Sequence, residues 1–228
     1  MLDSIKEKYD LKKRTKEDTI RKNIIKIMKY YLIKNREMPW GDYGNILFAG
    51  LLKTFDENYN DIDPYIIERI GPYIPDIYVG DSQKLVVKKE LFDLFLIHDV
   101  RSTFKRHKIL IKKFIKIDWQ SWDPTKPPEK YPRGGEPYNY IKYGHHNEDL
   151  LKMVSKKYYG LNFEEKDILK IISDNKDFVT YTHWGIVIDK ANEEIMNSRG
   201  GIVVNEKVKD LIEKNTDNCL RFIELQTV

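Results

Sequence analysis

The residues of this chain with chemistry in their spacing are its five histidines, His98, His107, His145, His146 and His183, and a few carboxylates set in apolar runs. The stretch Leu91-Phe92-Asp93-Leu94-Phe95-Leu96-Ile97-His98-Asp99-Val100 reads as a buried helix carrying an imidazole and a carboxylate side by side. Leu91, Leu94 and Phe95 precede His98 by seven, four and three residues, and Phe92, Phe95 and Leu96 stand in the same relation to Asp99. On a helix, both polar side chains then border the apolar face. An ionised carboxylate in such a place needs a partner, either a divalent cation or a neighbouring Lys or Arg. The plainer reading of the same dipeptide is a helix terminus with a satisfied histidine.

A second constellation is Gly144-His145-His146-Asn147-Glu148-Asp149, the expected start of a helix running to Tyr159 and stopped by Gly160. Adjacent helical residues point about 100° apart, so only one of His145 and His146 faces an ion squarely, leaving the other for a substrate phosphate. Glu148, three residues after His145, is placed to hold that imidazole in its ligating tautomer. Acids at a helix start are equally favoured by the helix dipole. Asp189 follows Val187-Ile188 in an apolar helix expected over Phe178 to Ala191, and is the second carboxylate expected to be buried.

Composition bounds these readings. The 228 residues, 41% hydrophobic and 12% aromatic, suit one folded domain with a sizeable core. Forty basic and 36 acidic residues leave a formal charge of +4, too mild to announce a nucleic-acid binder. Most of the excess lies in the first 30 residues and between Lys105 and Lys116, where basic patches remain possible. The single cysteine, Cys219, excludes an internal disulfide and a multi-thiolate zinc site and fits a reducing cytoplasm. No apolar run is long enough to span a bilayer and no signal-peptide pattern opens the chain, so a cytoplasmic protein with no membrane partner is expected.

The elements that must position these residues are mostly expected to be helices. Thr15 and Asp18 form a capping pattern for a helix from Lys16 to Lys34, with Ile20, Ile24, Ile27 and Tyr31 as its apolar stripe. Pro39 and Gly41 break the chain before a second helix through Ile46 to Leu52. Asp56 to Ser82, rich in Tyr, Pro, Asn and Asp, reads as an irregular connection containing a short helix. Within it, Pro75-Asp76 followed by Val86-Val87-Lys88-Lys89 is faintly similar to a nuclease pattern, but valine stands where the second acid belongs. Ile109 to Trp119 reads as a strand, with Tyr138 to Tyr143 returning as its partner in a long hairpin. Asn162 with Glu165 caps an expected helix from Phe163 to Ser173; Ile202-Val203-Val204 is strand-like and a helix follows near Glu206 to Lys214.

Taken in order, these pieces resemble the HD-domain superfamily of metal-dependent phosphohydrolases, over roughly Trp40 to Lys190. The likeness is to the small HD proteins of bacteria and phages, which carry a comparable hairpin before a Gly-His motif. The resemblance implies a mainly α fold, an HD-type helical bundle with an inserted β-hairpin. The chain divides as a single HD-like domain over 1–228, with an N-terminal helical segment at 1–38, the hairpin at 108–143 and a C-terminal extension at 192–228. Two departures stand out. No histidine precedes His98, so the family's first histidine has no counterpart; Phe48 falls near its place, with Asp42 or Asn45 as the nearest oxygen donors. Arg101 stands in for the family's phosphate-binding lysine.

What the resemblance implies about chemistry is a divalent metal, one of Mn, Fe, Co, Ni, Zn or Mg, held by His98, Asp99, His145 and Asp189. Such a metal activates water for attack on phosphorus. Asp99, Arg101 and His146 are the implied catalytic residues. Lys142, Tyr140 and Tyr143 are the implied substrate contacts, with Trp119 as a further stacking partner. The expected function is a metal-dependent phosphohydrolase acting on a nucleotide or related phosphate ester. The alternative is a catalytically degenerate HD-fold module that binds a nucleotide, nucleic acid or protein. A third class, a nucleic-acid binder using the basic hairpin and N-terminal helix, is less favoured and predicts steeply salt-dependent, metal-free binding.

Overall fold

Runs of β-branched and aromatic residues such as Tyr65-Ile66-Ile67 and Ile202-Val203-Val204 fold as strands. A computed structural model describes residues 28–71, 73–80, 83–117, 123, 125–126, 138–154, 157–173 and 183–228. Among the described residues, thirteen strands form three sheets and the α-helices are five and short. The expected mainly α HD bundle is therefore corrected to a mainly β protein.

The largest sheet has the order β2-β3-β6-β7-β5-β4 and comprises β2 (Leu51–Phe55), β3 (Asp61–Ile70), β4 (Ile77–Val79), β5 (Leu85–Lys88), β6 (Phe104–Ile115) and β7 (Tyr158–Phe163). Its β3–β6 pair is parallel and its other pairs are antiparallel. A four-stranded antiparallel sheet is built from β1 (Tyr30–Asn35), β10 (Ile195–Ser198), β11 (Gly201–Asn205) and β12 (Leu220–Glu224), in the order β10-β11-β1-β12. The third contains β8 (Leu169–Ser173), β9 (His183–Ile186) and β13 (Gln226–Thr227). The helices are α1 (Asp42–Ala49), α2 (Lys89–Ile97), α3 (Asn139–Tyr143), α4 (Glu148–Met153) and α5 (Glu206–Asn215). None of the described helices is long and apolar enough to cross a membrane.

Each departure from the expected helices has a physical cause. Tyr30-Tyr31-Leu32-Ile33 is buried on both faces inside a sheet, and a continuous apolar run does not distinguish that from a buried helix. Tyr30 to Asn35 is thus strand; residues 16–27 of the expected helix lie outside the described residues. The expected irregular connection holds β3 and β4. Tyr158 to Phe163 pairs on both sides, with β5 and β6, so neither a helix reaching Tyr159 nor one capped at Asn162 forms. The expected helix before Ala191 is strand β9 and one 3-10 turn, Ile188–Lys190, with residues 174–182 outside the described residues. Conversely, the expected returning strand Tyr138 to Tyr143 contains the short helix α3. Helix α5 does form where expected, its first turn held by Asn205 Oδ1 accepting from Val208 N–H at 3.0 Å.

Two polar devices join these layers. The Asn35 amide pairs with the peptide of Val79, donating Nδ2–H to its carbonyl at 2.8 Å and accepting its N–H at 2.7 Å. One side chain thereby connects β1 of the four-stranded sheet to edge strand β4 of the large one. The second device is Arg69 on β3, fully buried at 0% exposure. Its Nη2 donates to the carbonyls of Phe48 at 3.0 Å, Leu47 at 3.4 Å and Tyr73 at 2.7 Å. The first two lie at the C-terminal end of α1, where the helix dipole favours a cation. Gly50, with φ +71°, ends that helix; a Cβ there would lie 2.8 Å from Arg69 Cβ.

Arg69→Ala should lower unfolding free energy by about 3–5 kcal/mol, because it leaves buried carbonyls unpaired and opens a cavity. Urea denaturation followed by circular dichroism measures this. Arg69→Lys should recover only part of the loss, since an ammonium cannot reproduce the guanidinium fork.

Candidate functional site

His98 and Asp99 end a helix. Helix α2 buries Leu91, Phe92 and Phe95, whereas Leu96, Ile97, His98 and Asp99 are exposed. His98 N–H donates to Leu94, and Val100 N–H reaches back to the Phe95 carbonyl at 2.9 Å. Asp99, at φ +48°, occupies the left-handed position with which many helices stop. The plainer sequence reading, a helix terminus, describes this dipeptide.

The segment that follows is strapped to the lead-in of β10. Glu194, almost fully buried, accepts from Arg101 N–H at 3.0 Å and pairs with Lys207 Nζ at 3.1 Å. The Arg101 guanidinium is 3.9 Å from the same carboxylate. Ser102 Oγ donates to the Ile195 carbonyl at 2.7 Å, and Thr103 gives Glu193 its N–H and hydroxyl at 3.0 and 2.9 Å. Lys166 Nζ completes this cluster 2.6 Å from Glu193. Burial pushes the Glu193 carboxyl up, but the Lys166 and Thr103 hydrogen bonds outweigh it and hold the group below its ordinary value.

The remaining residues expected to bind metal are dispersed. Asp189 lies exposed on the 3-10 turn, and His145 is exposed ahead of α4. Glu148 meets His146 rather than His145: His146 Nε2 is 3.1 Å from Glu148, while Nδ1 accepts from Phe114 N–H at 3.0 Å. His146 therefore ties its loop to the end of β6, with both ring nitrogens engaged. Phe48 is a core residue beneath the Arg36 guanidinium. Among the described residues no group of three or more His, Cys, Asp or Glu side chains is placed to hold a metal ion. His98, Asp99, His145 and Asp189 form no such group. In the nuclease-like pattern, Asp76 and Lys88 do meet, at 3.4 Å, but Val86 is fully buried in the core.

Sequence reasoning missed His107. It stacks on Tyr65 with ring centroids 4.1 Å apart, its nitrogens 3.5 Å from Asp61 and 3.8 Å from Asp63. Gly160 makes room, since a Cβ there would lie 2.4 Å from the Tyr65 ring. No local signal marks this cluster, because β3 and β6 meet only through their parallel register.

The other face of β6 has a different character. Phe104 to Ile117 holds six Lys or Arg and no carboxylate. That is +6 against +4 for the whole chain, so the rest of the chain is net acidic by two. Alternation along the strand puts Arg106, Lys108 and Leu110 on one face, beside Ile66 and Lys53 of the neighbouring strands. A bulge follows: Ile67 pairs with Ile111 and Glu68 with Lys113, so Lys112 is the extra residue and Lys113 rejoins the basic face. Lys105, Arg106, Lys108 and Lys112 are exposed, and none has a carboxylate partner among the described residues. Arg106 instead lies over the Tyr159 ring at 4.8 Å and that of Phe92 at 5.5 Å. The one carboxylate on this face of β3, Glu68, lies beside Lys113.

At the far end of β6 is α3, and with it the residues expected to bind substrate. Tyr140 is buried with Ile141 against Leu47, Ile70 and Ile115, so it is part of the core. Lys142 and Tyr143 are exposed, with Lys142 Nζ 5.2 Å from the Tyr143 ring centre and 5.9 Å from that of Tyr138. Trp119 lies outside the described residues.

The chain matches no protein-family model and no curated protein sequence. The HD resemblance is overturned by the architecture, since its helical bundle is replaced by three β-sheets.

Two outcomes are expected here. Asp99→Gly should leave stability unchanged or raise it by up to about 1 kcal/mol in urea unfolding, because glycine adopts the left-handed conformation freely; a clear loss contradicts the helix-stop role. For Glu193, held below its ordinary value of 4.5, the stabilisation is present above that pH and lost as pH falls through the lower folded value. Glu193→Gln should flatten this part of the stability profile, read as unfolding midpoints from pH 6 down to roughly 3.

Proposed function

We propose that the protein is a nucleic-acid-binding module that takes the phosphate backbone of its ligand along the basic face of β6. The observation carrying this reading is the set of exposed cations on β6 that lack carboxylate partners among the described residues, in a chain otherwise net acidic. A solvated structural strand has no need to concentrate like charge, whose self-repulsion costs stability. A polyanion relieves that repulsion and releases its condensed counterions on binding. The strand lies inside the sheet, between β3 and β7, so its backbone bonds are satisfied and its side chains stand on a fixed frame. The reading keeps the cytoplasmic location expected from the single cysteine, with Cys219 buried and outside any disulfide.

The metal-dependent phosphohydrolase is the other reading. Its HD outline is replaced by three β-sheets, and among the described residues those assigned to the metal form no group of three or more potential ligands. Both readings concern phosphate-bearing ligands, and one set of measurements separates them. Labelled mixed-sequence DNA and RNA oligonucleotides should bind the purified protein without added metal, with affinity falling steeply from 50 to 200 mM salt. The double variant Lys108→Glu, Lys112→Glu should weaken binding at least tenfold and flatten the log–log salt slope by about 0.7–0.9 for each phosphate that is no longer neutralised. Its circular dichroism should be unchanged, both side chains being exposed. Absence of oligonucleotide binding, together with phosphate released from a nucleotide panel in Mn or Co and abolished by Asp99→Ala, would transfer the assignment to the hydrolase.

A further inference from the structure

The short helix α3 buries one side and exposes the other. Tyr140 and Ile141 fill the cluster with Leu47, Ile70 and Ile115, which pins the helix against the large sheet. Lys113, from the basic face of β6, donates to the carbonyls of Ile141 and Lys142 at the helix's C-terminal end, the latter at 3.1 Å. The exposed side then presents Tyr143, 60% exposed, and Tyr138, 43% exposed, with the Lys142 ammonium 5.2 and 5.9 Å from their ring centres. Lys142 has no carboxylate partner among the described residues. Two accessible rings beside a lysine with no carboxylate partner among the described residues thus stand at one end of a cationic strand, held there by one of its own lysines.

Phosphate contacts alone do not distinguish a duplex from a single strand. Aromatic faces do, because a duplex keeps its base faces stacked inside, whereas a single strand offers them to a protein ring. From Lys113 back to Arg106 the strand spans roughly 20–25 Å, a backbone track that begins beside the tyrosine pair. We infer that the ligand of this face is single-stranded nucleic acid, with unpaired bases stacking on Tyr138 and Tyr143 while its phosphates follow Lys112, Lys108 and Arg106. This rests on the basic-face reading above and adds the strandedness of the ligand and the residues that select it.

The test compares the full chain with a single-stranded 12-mer, the same sequence as a duplex, and inorganic polyphosphate, which has phosphates but no bases. Fluorescence anisotropy at fixed salt, with unlabelled polyphosphate as competitor, reads each affinity. The single strand should bind at least tenfold more tightly than the duplex. Tyr138→Ala with Tyr143→Ala should weaken single-strand binding about fivefold or more for each ring removed, leaving duplex and polyphosphate binding unchanged. Tyr138→Phe with Tyr143→Phe should retain wild-type affinity, because the ring faces remain. If duplex and single strand bind alike and the alanine variant matches wild type while the salt dependence persists, the stacking inference is overturned and the basic-face reading stands. If neither form binds, the basic-face reading fails and the inference falls with it.

Discussion

A guanidinium enclosed in the core, with no carboxylate beside it among the described residues, constrains the surrounding structure more than any other group. Arg69 has no surface exposed to solvent, and burial pulls its pKa down from the ordinary arginine value, against the opposing influence of the Tyr78, Tyr158 and Tyr73 phenols. An isolated interior charge costs several kcal/mol or more as an order of magnitude, so its surroundings must supply dipoles. They do so at Nη2, with the carbonyls at the end of α1 and that of Tyr73. Helix α1 has to end where it does, Gly50 has to follow it without a Cβ, and the chain after β3 has to turn back over the guanidinium. The same tyrosines reach further: burial pushes the Tyr73 phenol up, and its hydroxyl lies 3.8 Å from Cys219 Sγ, just before β12 of the other sheet.

This core positions β6. Phe114 packs beneath it on the Arg69 side, while Ile115 faces the helices on the opposite side. Between Phe92 of α2 and the α3 cluster, the outward face of β6 carries Arg106 and Lys108, which have no carboxylate partner among the described residues. The bulge at Lys112 matters to this arrangement, because without it Lys113 would point toward the core side and could not reach the carbonyls of α3. Asp61 and Asp63 are gathered on the other side around His107, while Glu68 lies beside Lys113 on the basic face.

The His98-Asp99 pair shows why spacing alone misled. Spacing to Leu94 and Phe95 holds for an ideal helix that continues, but the helix ends there and Asp99 takes the left-handed position that ends it. Both side chains then turn outward at the moment the periodic pattern would have carried them in. His145 and His146 read as helical neighbours, yet α4 begins only after Asn147, and His146 is used as a strand-end partner for Phe114. The HD outline depended on the order of such pieces, and order along a chain does not specify which pieces meet.

What the amino-acid sequence determined by itself lies within a few residues of its cause or in composition: the Asn205 cap and the helix after it, the strand through Ile109 to Ile115, the run of lysines from Lys105 to Lys116, and the single thiol. These follow from side-chain geometry, capping and charge acting over one or two turns. Tertiary structure alone decided that Tyr30 to Ile33 is strand rather than helix, that Tyr65 stacks on His107, and that Tyr138 and Tyr143 stand exposed at the end of the basic strand. Those outcomes depend on pairing partners far away in sequence, β11 and β12 for β1, and β6 for β3. A run of apolar residues is equally content in a buried helix or a buried strand until such a partner is beside it.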